Sequence, residues 1–328
     1  MKINLSAFAK KQSKILRIVG TVTALALLIY VLHEQGWEEI GNAVKQIDVW
    51  RLGLALLMMI ISRLAVSGRW YILLRSGDAP ITPKECFQIT FAGLFANNFM
   101  PTTVGGDVIR LAGALRLQCD TAISAASLIA DRLVGMAGML MILPVGLPRL
   151  LQIHDLRDLI PTNAEVIQFS LAATPLGDLP RKIFGRLQSI LHRLLSTLTV
   201  WLRQPRALLL SLLFTWIHQI CLFSALTLFF SGMGESISFW MVGGLYSFVY
   251  LITLIPISIN GYGLQEVSMT LVFSRLGGAS LASSLTAALL LRTAVMVASL
   301  PGAAFVPSLL AYSRERPETK NAPQTDIV

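Results

Sequence analysis

Charged and flexible residues gather in one short stretch between two apolar segments, FANNFMPTTVGGDVIRL at 95–111. The glycine pair Gly105 and Gly106 permits a tight backbone there, and the free amides at the start of the following helix carry the positive end of its dipole. Such amides, with an arginine such as Arg110 nearby, bind phosphate or carboxylate groups. Asp107 lies where it could cap the same helix or take part in proton coupling. The stretch therefore predicts an anion site at a break in a helix.

A second stretch of the same kind, PISINGYGLQE at 256–266, lies in the other half of the chain. The residues that align are Pro101 with Pro256, Thr103 with Ser258, Gly105 with Asn260, and Gly106 with Gly261. Farther along, SAASLIADR at 124–132 aligns without gaps on SLTAALLLR at 284–292, which pairs Arg132 with Arg292. Chance similarity between two apolar sequences is the alternative interpretation. A true repeat would indicate a secondary transporter, in which broken helices from two halves meet near the membrane midplane.

Non-helical backbone at membrane depth leaves unpaired amides and carbonyls, so broken helices are expected to line a cavity. Ionisable residues inside the apolar segments favour the same interpretation, because each costs roughly 2.5 to 3.5 kcal/mol on insertion scales. The charged residues concerned are Arg63, Asp107, Arg110, Asp131, Arg132, Glu266 and Arg292. Four positive and three negative charges leave a sum of +1, which an anionic substrate could balance. Ion pairs that serve assembly alone are the alternative.

The full set of residues predicted to bind substrate in this cavity adds polar neighbours to the charged ones. It consists of Arg63, Asn97, Asn98, Thr102, Thr103, Gly105, Gly106, Asp107, Arg110, Asp131, Arg132, Ser258, Asn260, Gly261, Gly263, Gln265, Glu266 and Arg292. No catalytic residue or metal ligand is predicted, because the sequence contains no HExxH pattern, phosphate-binding loop or GxSxG motif. No cofactor is therefore expected, and neither is ATP as a direct energy source.

The elements that position these residues follow from composition. Of the 328 residues, 54% are apolar and 14% are charged, whereas about a quarter are charged in soluble domains. This composition predicts an all-α polytopic integral membrane protein. The net charge of +9 suits nucleic acid or anionic lipid, but no nucleic-acid-binding motif accompanies it, so no nucleic-acid partner is expected. Cys86, Cys119 and Cys221 lie far apart, without a metal or disulfide pattern, and are interpreted as packing residues.

Apolar runs predict about six to eight transmembrane helices. The long runs are 18–32, 50–74, 121–147, 207–230, 239–259 and 281–310, and short ones occur at 86–99 and 108–117. Basic residues before 18–32 indicate an uncleaved first span with a cytoplasmic N-terminus, a secretory signal being the alternative. Arg69, Trp70 and Arg75 are expected to anchor the end of 50–74 at the membrane interface. The polar stretches predict two broken or re-entrant helix pairs that form an internal, inverted repeat.

The chain divides at its only substantial polar insertion. Residues 1–147 are predicted to form an N-terminal transmembrane half, 148–206 a cytoplasmic linker, 207–312 a C-terminal transmembrane half, and 313–328 a disordered tail. Within the linker, apolar residues recur at spacings of three and four through 181–203, with basic residues between them. This pattern predicts an amphipathic helix on the anionic inner leaflet. A solvated helix packed on the rest of the protein is the alternative.

The motifs PTTVGGDVIR, SLIADRLVG and PISINGYGLQE closely resemble those of the flippase-like, lysylphosphatidylglycerol synthase transmembrane-region family of bacterial and archaeal membrane proteins. The resemblance covers nearly the whole chain. The family's first motif corresponds to Pro101, Thr102, Gly105, Gly106, Asp107 and Arg110, its Asp-Arg pair to Asp131 and Arg132, and its second motif to Pro256, Ser258, Gly261, Gly263 and Glu266. Asn260 stands where a glycine is common, a mild change because asparagine also tolerates left-handed backbone.

This resemblance implies lipid translocation in a bacterial cytoplasmic (inner) membrane. Family members fused to an aminoacyl transferase move aminoacylated phosphatidylglycerol to the outer leaflet, and others accompany glycolipid or hopanoid pathways. This chain lacks that soluble domain, so a stand-alone flippase for an anionic phospholipid, a glycolipid or an isoprenoid lipid is expected, either alone or as a homo-oligomer. The alternatives are a polyprenol-linked glycosyltransferase, using acidic residues of the loop at 33–49, and a small-solute transporter or channel.

Overall fold

A computed structural model describes residues 37–99, 105–151, 204–255 and 262–306 of the chain. In these ranges it contains nine α-helices, one 3-10 helix and no strand, which confirms the predicted all-α class. The helices are α1 (Trp37–Gln46), α2 (Val49–Ser76), α3 (Pro83–Phe99), α4 (Gly105–Arg116), α5 (Thr121–Leu151), α6 (Pro205–Gly232), α7 (Phe239–Thr253), α8 (Leu264–Arg275), α9 (Leu281–Ser299) and the 3-10 helix (Leu300–Ala304).

Within the described ranges, four helical segments are long and apolar enough to cross a membrane, namely α2, α5, α6, and α9 continued by the 3-10 helix. Their 24 to 31 residues correspond to about 36 to 46 Å at 1.5 Å per residue, which exceeds the ~30 Å hydrocarbon core of a bilayer. Four predicted spans are thus confirmed, and the protein is a multi-pass membrane protein. The predicted first span at 18–32, the basic helix at 181–203 and the tail at 313–328 lie outside the described residues.

Both predicted helix breaks coincide with the ends of helices. In the first half, α3 ends at Phe99 and α4 begins at Gly105. In the second half, α7 ends at Thr253 and α8 begins at Leu264, so α7 is shorter than the predicted span. Gly263 precedes α8 with a φ of 75°, a left-handed conformation that glycine adopts without the steric penalty of a Cβ.

The helices of the two halves follow one another in a similar order of lengths. The first half has 28, 17, 12 and 31 residues in α2 to α5, and the second has 28, 15, 12 and 19 in α6 to α9. The long helices α2 and α6 form the most extensive pair in the described chain, while α3 packs along α4 and α7 along α8. Between the halves, α5 packs on α7, and α9 with the 3-10 helix packs on α3. Each pair of short helices is therefore held by a long helix of the other half.

Two hydrophobic clusters place the outer ends of the short helices at opposite ends of α2. One cluster joins Trp70, near the end of α2, to Cys86 at the start of α3 and Ala114 at the end of α4. The other cluster joins the start of α2 to the end of α6, the start of α7 and the end of α8. Within it, the rings of Phe230 and Phe273 stack with their centroids 4.8 Å apart. The α3–α4 pair and the α7–α8 pair therefore extend inward from opposite ends of the helix bundle.

Glycines let helices of the two halves touch through their backbones. At the crossing of α5 and α7, a Cβ on Gly146 would lie 2.8 Å from the Gly244 oxygen, and a Cβ on Gly244 would meet the Gly146 backbone. At the other crossing, a Cβ on Gly302 in the 3-10 helix would lie 2.5 Å from the Phe91 carbonyl carbon on α3. Small residues permit such close approach between membrane helices, where packing contacts drive association.

Replacement of Gly244 by alanine is expected to lower stability by about 1–3 kcal/mol, a typical cost of overpacking. The reason is that the added Cβ meets backbone atoms of α5, which cannot move aside as a flexible side chain could. Gly53→Ala is the matched control, since Gly53 is exposed on α2 and a Cβ there would meet no atom within 4 Å. Thermal unfolding of the detergent-solubilised protein, followed by tryptophan fluorescence, compares the variants. Equal melting temperatures for both would contradict the tight crossing.

Candidate functional site

The first polar stretch leads into α4, which crosses α3 closely and positions the charged residues of the site. A Cβ on Gly106 would lie 2.6 Å from the Gly93 oxygen, and a Cβ on Gly93 would lie 2.8 Å from the Gly106 oxygen. This pair of glycines therefore lets the two helices approach until their backbones touch. Asp107 and Arg110 lie in the first two turns of α4, directly after the crossing. Both side chains reach α5, where the other acidic residue of the site is found.

Asp131 on α5 is the centre of a buried group of ions. Its Oδ1 accepts a hydrogen bond from Nε of Arg69 at 2.6 Å, and its Oδ2 accepts one from Nη2 of Arg110 at 3.0 Å. The Asp131 side chain is 4% exposed, and those of Arg69 and Arg110 are 9% and 10% exposed. Each carboxylate oxygen thus has its own cationic donor, which is the condition under which a buried charge is tolerated.

Asp107 extends this group toward a more open region. Its Oδ2 accepts a hydrogen bond from Nε of Arg132 at 2.9 Å and another from Nη2 of the same side chain, and its Oδ1 lies 3.5 Å from Nη1 of Arg110. We call Arg69, Asp107, Arg110, Asp131 and Arg132 the arginine–aspartate network. Three arginines and two aspartates give it a sum of +1. The Arg132 side chain is 59% exposed, so it is the member of the network most accessible to a ligand.

Neighbouring polar and aromatic groups fix the two buried guanidinium groups. Arg110 lies over the ring of Trp70, 4.4 Å from its centroid, in a cation–π contact. Trp70 is itself held by a hydrogen bond from Nε1 to Oγ of Ser127 at 3.0 Å. Arg69 donates from Nη1 to Oγ1 of Thr215 on α6 at 3.2 Å. Contacts from α2, α5 and α6 therefore hold the buried cations in place.

The network faces a partly open cavity of about 210 Å³. All five network residues lie on its walls, together with Asn97 at the end of α3, His218 on α6 and Tyr250 on α7. Helices of both halves therefore contribute to one space. Pockets that enclose drug-sized ligands measure about 300 to 1,000 Å³, so this cavity suits a smaller polar group, such as a phosphate with a short substituent.

The second half carries an ion pair of the same design. Nε of Arg292 on α9 donates to Oε1 of Glu266, in the first turn of α8, at 2.5 Å. In the same way, Arg132 on α5 bonds to Asp107 in the first turn of α4. The Arg292 guanidinium also lies 4.8 Å from the ring centroid of Tyr262. The two arginines that align in sequence therefore have acidic partners in corresponding places.

Hydrogen bonds connect the two helix breaks to each other. The Tyr262 hydroxyl, just before α8, donates to the backbone oxygen of Asn98 in the last turn of α3. The Asn98 side chain in turn donates from Nδ2 to Oγ of Ser299 at the end of α9, at 2.9 Å. The end of α3 in the first half thus meets the start of α8 and the end of α9 in the second.

The structure brings part of the predicted set together. The predicted residues on the cavity walls are Asn97, Gly106, Asp107, Arg110, Asp131 and Arg132. Gly105 begins α4 beside them, while Arg63, Asn98, Gly263, Gln265, Glu266 and Arg292 lie in the described chain but not on these walls. Thr102, Thr103, Ser258, Asn260 and Gly261 lie outside the described residues. The Glu266–Arg292 pair forms a second cluster, and the substrate-binding role of the whole set remains a prediction.

The expected position of Arg69 and Trp70 at the membrane interface is wrong. Their exposed fractions are 7% and 0%, because the α3–α4 pair covers this end of α2. Arg69 lies seven residues before Ser76, the last residue of α2, which is about 10 Å along the helix axis. In the sequence Arg69 lies near the end of an apolar run, so only the packing of α3 and α4 assigns it to the interior. Arg75, in the last turn of α2, is exposed as expected for an anchor.

Polar groups between α2 and α6 lie close to the cavity. His218 Nδ1 and Ser62 Oγ are 2.6 Å apart and form a hydrogen bond across the two helices. Gln219 is fully buried, and its two amide atoms have no hydrogen-bond partner among the described residues; the same is true of the buried Nε of Arg63. These atoms leave hydrogen-bonding capacity beside the cavity for water or a ligand. The described chain contains no cluster of three His, Cys, Asp or Glu side chains that could hold a metal ion.

The described helices and the buried charges define a class, that of multi-pass helical membrane proteins with an ion-lined cavity between two halves. The chain belongs to the lysylphosphatidylglycerol synthase transmembrane-region family, whose sequence profile matches residues 17–302. This match confirms the resemblance of the motifs and connects the protein with lipid-related processes. No curated protein matched the chain.

Asp131→Asn is expected to cost about 3–5 kcal/mol of stability, because it leaves Arg69 and Arg110 buried without their shared counter-ion. Arg69 then has no carboxylate partner in the described chain, whereas Arg110 keeps Asp107 at 3.5 Å. Adding Arg69→Gln removes this uncompensated cation and is expected to recover part of the loss. Thermal unfolding of the detergent-solubilised single and double variants measures both effects.

Asp48→Asn is the control for that experiment. The Asp48 side chain is 59% exposed and pairs with Arg51 at 3.3 Å, and exposed ion pairs contribute only about 0–1 kcal/mol. If Asp131→Asn lowered the melting temperature no more than Asp48→Asn, the network would not stabilise the fold as described.

Leu94→Cys tests the charge of the cavity without removing any ion. Leu94 lies on the cavity wall, and the native Cys86, Cys119 and Cys221 are buried, so background labelling should be low. The positive network is expected to make an anionic methanethiosulfonate react several-fold faster than a cationic one at low ionic strength. Ala92→Cys, at a fully buried position of α3, should react with neither. Labelling is measured as a mass shift, and faster reaction with the cationic reagent would contradict a positive cavity.

Proposed function

We propose that this protein moves an anionic or phosphate-bearing lipid across the bacterial inner membrane through the cavity between its two halves. The observation that carries the proposal is the exposed Arg132 side chain in a cavity whose five ionised residues sum to +1. An uncompensated cation inside a transmembrane helix is costly, and a bound phosphate would offset that cost. Membership of a family connected with lipid-related processes supports a lipid as the source of the anion.

The size of the cavity supports a lipid headgroup as its ligand. A volume of about 210 Å³ accommodates a phosphate with a small substituent but leaves no room for acyl chains. The chains of a lipid would stay in the bilayer while only the headgroup entered the protein. A drug-sized soluble substrate would have to be enclosed whole, which usually takes at least about 300 Å³. A small solute would also fit the cavity, and membership of a family connected with lipid-related processes favours the lipid over it.

The arrangement of the halves supports alternating access as the mechanism. We interpret α3–α4 and α7–α8 as re-entrant helix pairs of an inverted repeat, because they extend inward from opposite ends of the bundle. The matching partners of Arg132 and Arg292 favour the same interpretation. In transporters built this way, one repeat rocks against the other around a site near the midplane. The N-terminus would then be cytoplasmic by the positive-inside rule.

Within this mechanism, Arg132 would exchange partners. In the structure it binds the Asp107 carboxylate, and a lipid phosphate entering the cavity would compete for the same guanidinium. Release of Asp107 would remove one of the two ion pairs between α4 and α5 and leave the Arg110–Asp131 pair, so that lipid binding would weaken the attachment of the re-entrant pair to the long helix. Asp107, once released from Arg132, is the proposed point of proton coupling.

Lipid translocation in proteoliposomes tests the proposal. Fluorescent anionic and zwitterionic phospholipids are followed by a quencher confined to the outer medium. The native protein is expected to move the anionic reporter faster than protein-free liposomes do. Arg132→Gln is expected to reduce that rate about tenfold or more, since a charge-assisted hydrogen bond contributes about 1.5–3 kcal/mol. Arg149→Gln removes an exposed arginine from the last turn of the same helix and should retain the native rate.

Two results would count against the proposal. A native rate in Arg132→Gln would remove this arginine from the lipid path, and Arg292→Gln then tests whether the second cluster carries the function instead. No movement of any reporter by the native protein, with or without a proton or sodium gradient, would exclude flipping of common phospholipids. Isoprenoid and glycolipid reporters would be the next substrates to measure.

A further inference from the structure

We propose that a basic groove at one end of the α2–α6 pair binds the headgroup of an anionic phospholipid as a resident ligand that is not transported. The groove has a volume of about 500 Å³, and its lining includes Arg75, Ser76, Gln204, Arg206 and Leu210. We call it the interfacial groove. It shares no lining residue with the cavity that the arginine–aspartate network faces, so this inference does not depend on the proposed transport function.

The interfacial groove presents two cations without a described counter-ion. Arg75 and Arg206 are both exposed, and the lining includes no aspartate or glutamate. Neither arginine forms an ion pair with a carboxylate of the described chain. Arg75 does donate from Nη1 to the Ala79 oxygen at 3.3 Å, which orients its guanidinium and leaves other donors available. Two like charges on one groove repel each other, and an anion between them removes that repulsion.

A hydrogen bond between the two helix ends fixes the groove. Nε2 of Gln204, the residue before α6, donates to the backbone oxygen of Ser76, the last residue of α2, at 2.8 Å. The Ser76 hydroxyl donates within α2 to the Leu73 oxygen at 2.7 Å. The first of these bonds joins the end of one candidate span to the start of another. The groove therefore lies where two transmembrane helices end, at the level of the lipid headgroups.

An apolar surface for acyl chains begins directly beside the groove. Leu209, Leu210 and Leu213 on α6 are 67%, 46% and 54% exposed, and Leu210 belongs to the groove itself. Exposed leucines on a transmembrane helix face lipid tails. Two arginines at the end of the helix with leucines along the next turns match both parts of a phospholipid, its anionic headgroup and its hydrocarbon. A free phosphate would contact the arginines alone, so only a phospholipid would use both parts of this surface.

Native mass spectrometry of the full chain in detergent tests this assignment by titration with phosphatidylglycerol and, separately, with phosphatidylcholine. The double variant Arg75→Gln/Arg206→Gln is expected to bind phosphatidylglycerol about 30-fold more weakly, about fivefold for each arginine. Phosphatidylcholine binding should change little. The control Arg149→Gln/Arg275→Gln removes the same charge from exposed arginines in the last turns of α5 and α8 and should bind as the native protein does.

Further arms separate this site from the cavity and from a simple phosphate site. Arg132→Gln alters the cavity and should retain the native affinity for phosphatidylglycerol at the interfacial groove. Failure of the transport proposal would therefore not affect this one. Displacement of phosphatidylglycerol by millimolar inorganic phosphate would indicate a site for free anions and overturn the lipid assignment. Equal weakening in both double variants would indicate attraction by net charge alone and would also overturn it, as would native affinity in Arg75→Gln/Arg206→Gln.

Discussion

Asp131 can remain ionised within α5 only because Arg69 from α2 and Arg110 from α4 reach it from two directions. This requirement fixes the relative positions of three helices. Because α4 must come close to α5, it crosses α3 at the contact between Gly93 and Gly106. Because Arg69 must be buried, the α3–α4 pair has to cover the end of α2. A buried ion group of this kind adds little net stability, but loss of one member leaves an uncompensated charge, so it selects one arrangement of the helices over others.

The two halves differ in the number and the exposure of their ionised residues. The first half has five ionised residues around the cavity, whereas the described part of the second half has the pair Glu266 and Arg292 supported by Tyr262. Exposure differs in the same sense, since the Arg132 side chain is 59% exposed and that of Arg292 is 14% exposed. The two arginines that align in sequence are thus accessible in one half and enclosed in the other. In the proposed alternating-access mechanism, the two halves would differ in this way at any one moment.

The sequence predicted those features that depend on local cost. Long apolar runs gave the spans α2, α5, α6 and α9, because a polar residue inside lipid is expensive wherever it lies. The glycine- and proline-containing stretches gave both helix breaks, because their backbone preferences are local. Alignment of Arg132 with Arg292 identified two residues whose acidic partners turned out to correspond. Each of these inferences needs only the residue and its neighbours in the chain.

Features that depend on tertiary contacts could not be predicted from the sequence. Arg69 lies near the end of an apolar run, and only the covering helices show that it is buried. The neighbours of Gly146 and Gly244 in the sequence do not indicate that α5 and α7 cross there. The need for each glycine comes from the backbone of the other one, which a Cβ would meet. The separation of the Glu266–Arg292 pair from the first cavity likewise depends on how the short helices pack. Hydropathy reports the cost of placing a group in lipid, but it does not identify the group that will offset that cost.

The paired helices α2 and α6 make the protein sensitive to the thickness of its membrane. Each has 28 residues, about 42 Å at 1.5 Å per residue, whereas the hydrocarbon core measures about 30 Å. Helices of this length tilt or deform the surrounding bilayer, and the degree of tilt follows the local thickness. Helices of both halves pack on this pair, so we expect a change in its tilt to act on both halves at once. We therefore expect lipid composition to influence this protein mechanically, through hydrophobic mismatch, without any lipid entering a binding site.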